Sequence, residues 1–292
     1  LDKQEKNALK FALAAVALWS TVATGFKLGL ALLEPVQLLF LGTLVSTIIF
    51  VVAVSISGTW QVNRRTVGES LLFGLVNPFL YYLVLFEAYD RLPAQIAQPL
   101  NYTWAIALAV LAVPLLKQPL TRHTTVGILL SYFGVLILLT QGRIDSWPVI
   151  NWLGVILALS STLLWASYWL LNTRSHTDPL TLMALSFLFA TPLIGIVCVL
   201  GPGLPPLSWE IAGYGLWVGL IEMGVTFLLW QRALRLTTNA GRIGQLIFLS
   251  PFLSLILIGV VLGERIHYTT VIGLGVIVAG IVVTGRTNRP AV

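Results

Sequence analysis

The chain has 292 residues, of which 57% are hydrophobic and only 10% charged, with a mean hydropathy of +0.91. A soluble domain carries about 25% charged residues, so this composition excludes an ordinary globular enzyme, and the apolar excess excludes a disordered chain. The net charge of +6 does not mark a nucleic-acid binder, because the basic residues fall between long apolar runs instead of forming one footprint.

A membrane-spanning helix needs about 20 mostly apolar residues, since each residue rises about 1.5 Å through a hydrocarbon core of roughly 30 Å. In chain order the sequence predicts ten such helices, near 8–32, 35–57, 66–89, 93–114, 122–140, 151–172, 179–200, 208–234, 239–262 and 267–285. The first is too long for the apolar core of a signal peptide and lacks its cleavage pattern, so it reads as a span. Leu1 in place of a start Met suggests that the chain has been trimmed or engineered at that end. One cysteine, Cys198, allows no intramolecular disulfide, and no His/Cys cluster offers a metal cage; neither a metal nor another cofactor is expected.

Orientation follows from the distribution of Lys and Arg. With the N-terminus inside, thirteen of them are internal: Lys3, Lys6, Lys10, Arg64, Arg65, Lys117, Arg122, Arg174, Arg232, Arg235, Arg242, Arg286 and Arg289. Four are external: Lys27, Arg91, Arg143 and Arg265. Both termini are therefore expected in the cytoplasm, with short loops outside and the function inside the bilayer.

The chain also repeats itself. An offset of 145 residues sets Gly74 on Gly219, Leu83 on Leu228 and Ala88 on Ala233. An offset of 146 sets Trp19 on Trp165, Gly127 on Gly273 and Gly134 on Gly280, and one of 144 sets Glu34-Pro35 on Asp178-Pro179. The predicted architecture is an all-α polytopic membrane protein of ten helices, with repeats over 1–145 and 146–292. Five helices per repeat is an odd number, so the second copy enters the membrane from the opposite face. Such inverted repeats suit alternating access about a site near the midplane.

These features resemble the drug/metabolite transporter superfamily in its EamA-type branch. The clearest local match is Leu249-Ser250-Pro251 through Gly263-Glu264-Arg265, followed by Ile272-Gly273 and Gly280. Half one departs from that pattern, reading Gln118-Pro119-Leu120 at the corner, with no Glu. The Trp- and Tyr-rich helices look most like the YddG-type exporters, which implies export of amino acids across a bacterial inner membrane.

Ionisable groups at mid-membrane are costly and are functional hypotheses by default. Glu222 is the one that qualifies, and the repeat offset places it opposite Asn77. It is expected to bind a substrate ammonium or carry a proton, against the plainer reading of a structural carboxylate holding helices together. Trp19, Trp104 and Trp165 fall away from the interfaces, where Trp60, Trp147, Trp152 and Trp209 obey the usual preference. Gln98 and Asn101 share a helical face with Trp104; Tyr81 and Tyr82 follow Asn77, and Gln245 opens the ninth helix. Polar groups facing lipid would be expensive, so these faces should turn inward. Trp19, Tyr81, Tyr82, Trp104 and Trp165 are thus expected as walls of a central cavity. Asn77, Gln98, Asn101, Glu222 and Gln245 are expected as its polar contacts. Core packing is the plainer account of any one aromatic; convergence carries the site.

No Lys or Arg is expected at mid-depth, which disfavours phosphorylated substrates. The expected ligand is a neutral or zwitterionic amino acid, with the lipid bilayer as the other partner. Rival readings are an exporter of lipophilic organic cations or other metabolites and, from another class, an intramembrane enzyme. Against the enzyme stands the lack of a midplane His, Cys or Asp, so no catalytic residue is assigned. Glu264 is expected to cap a helix or pair within a loop, and Glu87 and Arg91 to form a surface pair. Gly127, Ser131, Gly134, Gly273 and Gly280 give small faces suited to close helix packing or a dimer surface, so the chain is expected to be a monomer or weak homodimer.

Overall fold

The computed structural model describes residues 3–116, 121–141, 143, 150–172, 174–237 and 240–285, and every regular element among them is helical. Lys117, the Gln118-Pro119-Leu120 corner, Trp147, Arg286 and Arg289 lie outside the described residues. Among the described residues, nine helices are long and apolar enough to cross a membrane. They are α1 (Lys3–Leu30), α2 (Pro35–Ser57), α3 (Arg64–Arg91), α4 (Ala94–Leu115), α5 (Arg122–Leu139), α6 (Trp152–Asn172), α7 (Pro179–Leu200), α8 (Trp209–Leu236) and α9 (Ile243–Val261). The tenth expected helix, α10 (Tyr268–Thr284), is present and apolar but shorter. The chain is a multi-pass membrane protein.

Two helices are interrupted where hydroxyl side chains turn back on their own backbone. In α1 the Ser20 and Thr21 hydroxyls donate to the carbonyls of Ala17 (2.6 Å) and Leu18 (2.5 Å), and the helix breaks at Thr21. In α4 the Thr103 hydroxyl donates to Leu100 (2.7 Å) and the helix breaks there. Such back-bonding competes with the backbone ladder and bends helices.

By contact the helices fall into two compact units, Leu1–Phe86 with His176–Gly263, and Glu87–Ser175 with Glu264–Val292. Each unit draws helices from both halves of the sequence.

In the first unit α2 and α7 lie antiparallel. The Cys198 thiol contacts the Val36 carbonyl (3.3 Å), the hydroxyls of Thr47 and Thr191 meet at 2.8 Å, and Phe50 meets Phe187 edge-on at 5.0 Å. Thr47 and Thr191 are 144 residues apart, which is the repeat offset itself. Both helices begin alike, with an acid as N-cap and Pro at the first helical position, Glu34-Pro35 and Asp178-Pro179. Proline suits that position because its missing N–H would be unsatisfied there anyway. The residue three places on then ties each copy to the other: the Gln37 amide donates to the Gly203 carbonyl (3.0 Å), and the Thr181 hydroxyl donates to the Thr59 carbonyl (2.7 Å). Gln37 corresponds to Thr181 and Gly203 to Thr59 by the same offset.

The close approaches of α3 and α8 are reciprocal too. A Cβ on Gly74 would sit 2.5 Å from the Ser186 carbonyl oxygen, and one on Gly219 would sit 2.7 Å from that of Gly42. Only glycine allows either approach.

In the second unit α5 and α10 form the corresponding antiparallel pair. Cβ atoms on Gly127 and Gly280 would each come within 2.5 Å of the other's carbonyl oxygen, and those on Gly134 and Gly273 within 2.7 Å. Between these crossings the Ser131 hydroxyl donates to Ile277, 146 residues away, at 3.0 Å. The small faces expected to suit a dimer surface are therefore occupied within the chain. Glu264 caps α4: its carboxylate accepts from the N–H groups of Ala94 (2.8 Å) and Gln95 (3.2 Å). The Gln95 side chain completes the junction, donating to the Arg265 carbonyl and accepting from the His267 N–H and the Thr270 hydroxyl. Glu87 and Arg91 form the expected pair one turn apart.

Candidate functional site

The candidate residues divide between the two units. In the first, α3 loses regular geometry at Asn77, whose φ of −145° and ψ of 119° are extended. The cause is local: Pro78 has no N–H to donate and disfavours helical geometry in the residue before it. A wide turn over Leu75–Leu80 absorbs the interruption. It leaves Asn77 buried, with its side-chain oxygen lacking any hydrogen-bond partner.

The helix α8 carries a second wide turn, Val218–Val225, which contains Glu222 and includes the positions that correspond to 75–80. It has no proline. Its peculiarity is crowding, with Gly219 pressed against α2, where the Ser46 hydroxyl lies 2.9 Å from the Gly219 carbonyl. Wide turns loosen the backbone ladder and recur at functional sites.

Glu222 is partly buried. The hydroxyl of Tyr82, itself buried, donates to its carboxylate at 3.0 Å, and Trp19 is a second side-chain donor. Trp19 is held in turn by Phe227, edge-on at 5.5 Å, and Trp230 at 5.6 Å. It stands two residues before the break in α1. Tyr81 packs on Tyr82 at 4.7 Å, and Tyr82 on Phe86 at 5.7 Å. Two neutral donors leave lone pairs on the carboxylate for a cationic group. Gln245, in the same unit, is exposed at the end of a short helical turn preceding the main run of α9.

In the second unit Trp104 stands immediately after the break in α4 and meets Trp165 of α6 edge-on at 6.5 Å. Trp165 stacks on Tyr168 at 5.5 Å with an interplanar angle of 23°, and Trp169 meets it edge-on at 6.0 Å. The Asn101 amide donates to the Ser161 hydroxyl at 3.0 Å, and Ser161 donates onward to the Ala158 carbonyl. Gln98 is buried with its side-chain oxygen unpartnered, and the Trp169 indole N–H is likewise buried and unpartnered. Buried groups of this kind cost about 1–3 kcal/mol each unless water or a ligand supplies the missing partner.

Sequence reasoning missed Phe227, Trp230, Ser161, Tyr168 and Trp169. The last three share one face of α6 with Trp165, at helical spacings of three and four, so the signal was present. Among the described residues no group of three or more His, Cys, Asp or Glu could hold a metal ion.

Comparison with known proteins agrees with this architecture. The chain is 30% identical over 217 residues to the uncharacterized protein PA1977 of Pseudomonas aeruginosa, covering 73% of each. It is 21% identical over 237 residues to the uncharacterized transporter YyaM of Bacillus subtilis, covering 77% of this chain and 75% of that protein. A crystal structure superposes with a TM-score of 0.66 at 20% identity, over 95% of this chain and 98% of the other, and shows the same fold. The model of the EamA-like transporter family matches twice, over residues 6–140 and 152–286. Two matches that together span nearly the whole chain, on a polytopic helical frame, make this protein a member of the EamA-like transporter family.

Proposed function

We propose that this transporter carries amino acids, aromatic and other neutral ones, out of the cytoplasm by alternating access, as the resemblance to YddG-type exporters implies. The observation that carries the reading is the Glu222 carboxylate held by Tyr82 and Trp19. Its free lone pairs suit an α-ammonium group, and aromatic faces add cation–π attraction of about 0.5–2 kcal/mol. The second unit, by itself, carries an indole cluster of Trp104, Trp165 and Trp169 of the kind that packs against apolar or aromatic groups.

Alternating access rests on a ten-span inverted repeat. Three observations support it: antiparallel pairing of α2 with α7 and of α5 with α10, meeting at residues one repeat offset apart; the reciprocal Gln37–Gly203 and Thr181–Thr59 bonds; and the double family match. The excess of Lys and Arg on one set of loops supports both termini in the cytoplasm of a bacterium, with the protein in its inner membrane.

The test is uptake of labelled tryptophan, phenylalanine, leucine and glutamate into liposomes holding the purified protein. The expected result is carriage of the neutral amino acids above empty liposomes. Glu222→Gln is expected to raise their KM about ten- to hundredfold, as loss of a charged hydrogen bond worth roughly 1.5–3 kcal/mol requires. Carriage of a lipophilic cation such as tetraphenylphosphonium, with no amino acid transported, would overturn the substrate assignment.

A further inference from the structure

A cavity of about 440 Å³ lies wholly within the first unit, between the part of α1 beyond its break, the first turns of α8 and the end of α9. The transport reading does not use it: neither Glu222 nor Trp19 is among its walls. Its volume is that of a small-molecule site. Aromatic rings and one carboxylate gather along α8, where Trp209, Glu210, Tyr214 and Trp217 all line the cavity from one regular helical stretch. Trp217 lies against α1, since a Cβ on Gly25 would sit 2.5 Å from its indole nitrogen. Trp209 and Glu210 stand at the other end and are exposed, Trp209 to 95%. The run from Glu210 to Trp217 is about 10 Å along the helix axis.

The carboxylate is free for a ligand. Ser208 caps α8, its hydroxyl accepting from the Ile211 N–H at 3.1 Å, and Glu210 has no ion pair among the described residues. The described residues that line the cavity include no Lys, Arg or His, so no cation there would receive a phosphate or a carboxylate. This disfavours an amino acid, and also a phospholipid, whose ammonium brings a phosphate with it. Aromatic faces beside an anionic group suit a cation instead, because the ring quadrupole of Trp or Tyr attracts an ammonium. Towards Trp217, Thr24 lines the cavity as well; it is 7% exposed and its hydroxyl has no hydrogen-bond partner. A ligand whose body ends in a hydrogen-bonding group answers that deficit, and a hydrocarbon chain does not. At the 145-residue offset the matching positions of α3 are Arg64, Arg65, Glu69 and Leu72, so the aromatic and acidic set belongs to α8 alone.

We propose that this cavity binds an organic ammonium with an aromatic or apolar body and no acidic group. Its cation sits at Glu210 beside Trp209 and Tyr214, and its body extends towards Trp217 and Thr24. The site is separate from Glu222 and stands whichever substrate the protein carries.

The test titrates tyramine against the full-length protein in dodecylmaltoside micelles by saturation-transfer NMR, with protein-free micelles as the blank. Saturable binding is expected. It should be displaced poorly by 4-ethylphenol, which lacks the ammonium, and by tyrosine, which adds a carboxylate. Glu210→Gln should weaken it about two- to fivefold, as an exposed charge pair implies. Gly213→Leu should abolish it, and does so without collision, because a Cβ on that cavity-lining glycine meets no atom within 4 Å. An unchanged Tm of Gly213→Leu shows that the fold persists. Glu222→Gln, at the separate carboxylate, should leave tyramine binding unchanged. Full binding by Gly213→Leu, displacement by 4-ethylphenol as strong as by tyramine itself, or loss of binding in Glu222→Gln alone would each overturn the assignment. So would native mass spectra in which Gly213→Leu loses a bound phospholipid while neither protein binds tyramine, which would give the cavity to lipid. Failure of amino-acid uptake bears on none of these outcomes.

Discussion

Tyr82 and Glu222 form the contact on which most depends. A hydrogen bond to a charged group contributes about 1.5–3 kcal/mol, so Tyr82→Phe should lower the unfolding free energy by that order. Glu222→Gln keeps an oxygen for the Tyr82 hydroxyl to reach and should cost less stability while impairing transport more. A double-mutant cycle on the pair, followed by denaturation in detergent, should show a coupling energy above about 0.5 kcal/mol; additivity would mean that the two side chains act independently. In the second unit, Trp165→Ala removes a ring that packs on Trp104, Tyr168 and Trp169 and should cost about 3–5 kcal/mol. Trp165→Phe should retain most of that stability, since a ring remains to stack on Tyr168.

At the scale of elements, helices here are joined by close approach and by caps more than by apolar pattern. The crossing of α5 and α10 admits no side chain at Gly127, Gly134, Gly273 or Gly280, because each hypothetical Cβ meets backbone that cannot swing away. Gly134→Leu should therefore destabilise the protein by at least about 1–3 kcal/mol, visible as a lowered Tm. Leu129→Ala, on the same helix but 67% exposed, should change stability by no more than about 0.5 kcal/mol. Glu264 acts at a distance from the residues it supports: by capping α4 it fixes the start of the helix that carries Gln98, Asn101 and Trp104. Glu264→Ala should cost about 0.5–2 kcal/mol, the usual loss on removing a cap.

Across the whole molecule, the repeat can be tested by chemistry. Thr47 and Thr191 meet at 2.8 Å through their hydroxyls, so a Thr47→Cys/Thr191→Cys variant, with Cys198→Ala to remove the native thiol, should form an internal disulfide under mild oxidation. Retention of a split or protease-nicked chain as one band on a non-reducing gel would report it, and each single variant serves as the control. Failure to cross-link in both the folded protein and its vesicles would mean that α2 and α7 do not cross at these residues.

Several of these features were legible without coordinates. Span positions came within a few residues because water and hydrocarbon sort residues by polarity along the chain. The likeness of the two halves shows in the sequence at Gly74 and Gly219, and at Glu34-Pro35 and Asp178-Pro179, positions with local backbone reasons for their residue types. Pro78, which has no N–H to donate, marks the break in α3. What the sequence could not determine is which faces meet. In a bilayer the outward and inward sides of a helix are both apolar, so hydropathy carries no inside-outside pattern of the kind that marks a soluble helix. Hence the wide turn at Glu222, which has no proline to signal it, emerged only from the packing of Gly219 against α2. The same holds for the sorting of the candidate residues into a carboxylate set and an indole set, and for the exposed placement of Gln245. Composition decided that this chain lives in a membrane; close approaches at glycines such as Gly74, Gly127 and Gly219, where a Cβ would collide with a neighbouring backbone, decided which helix faces meet.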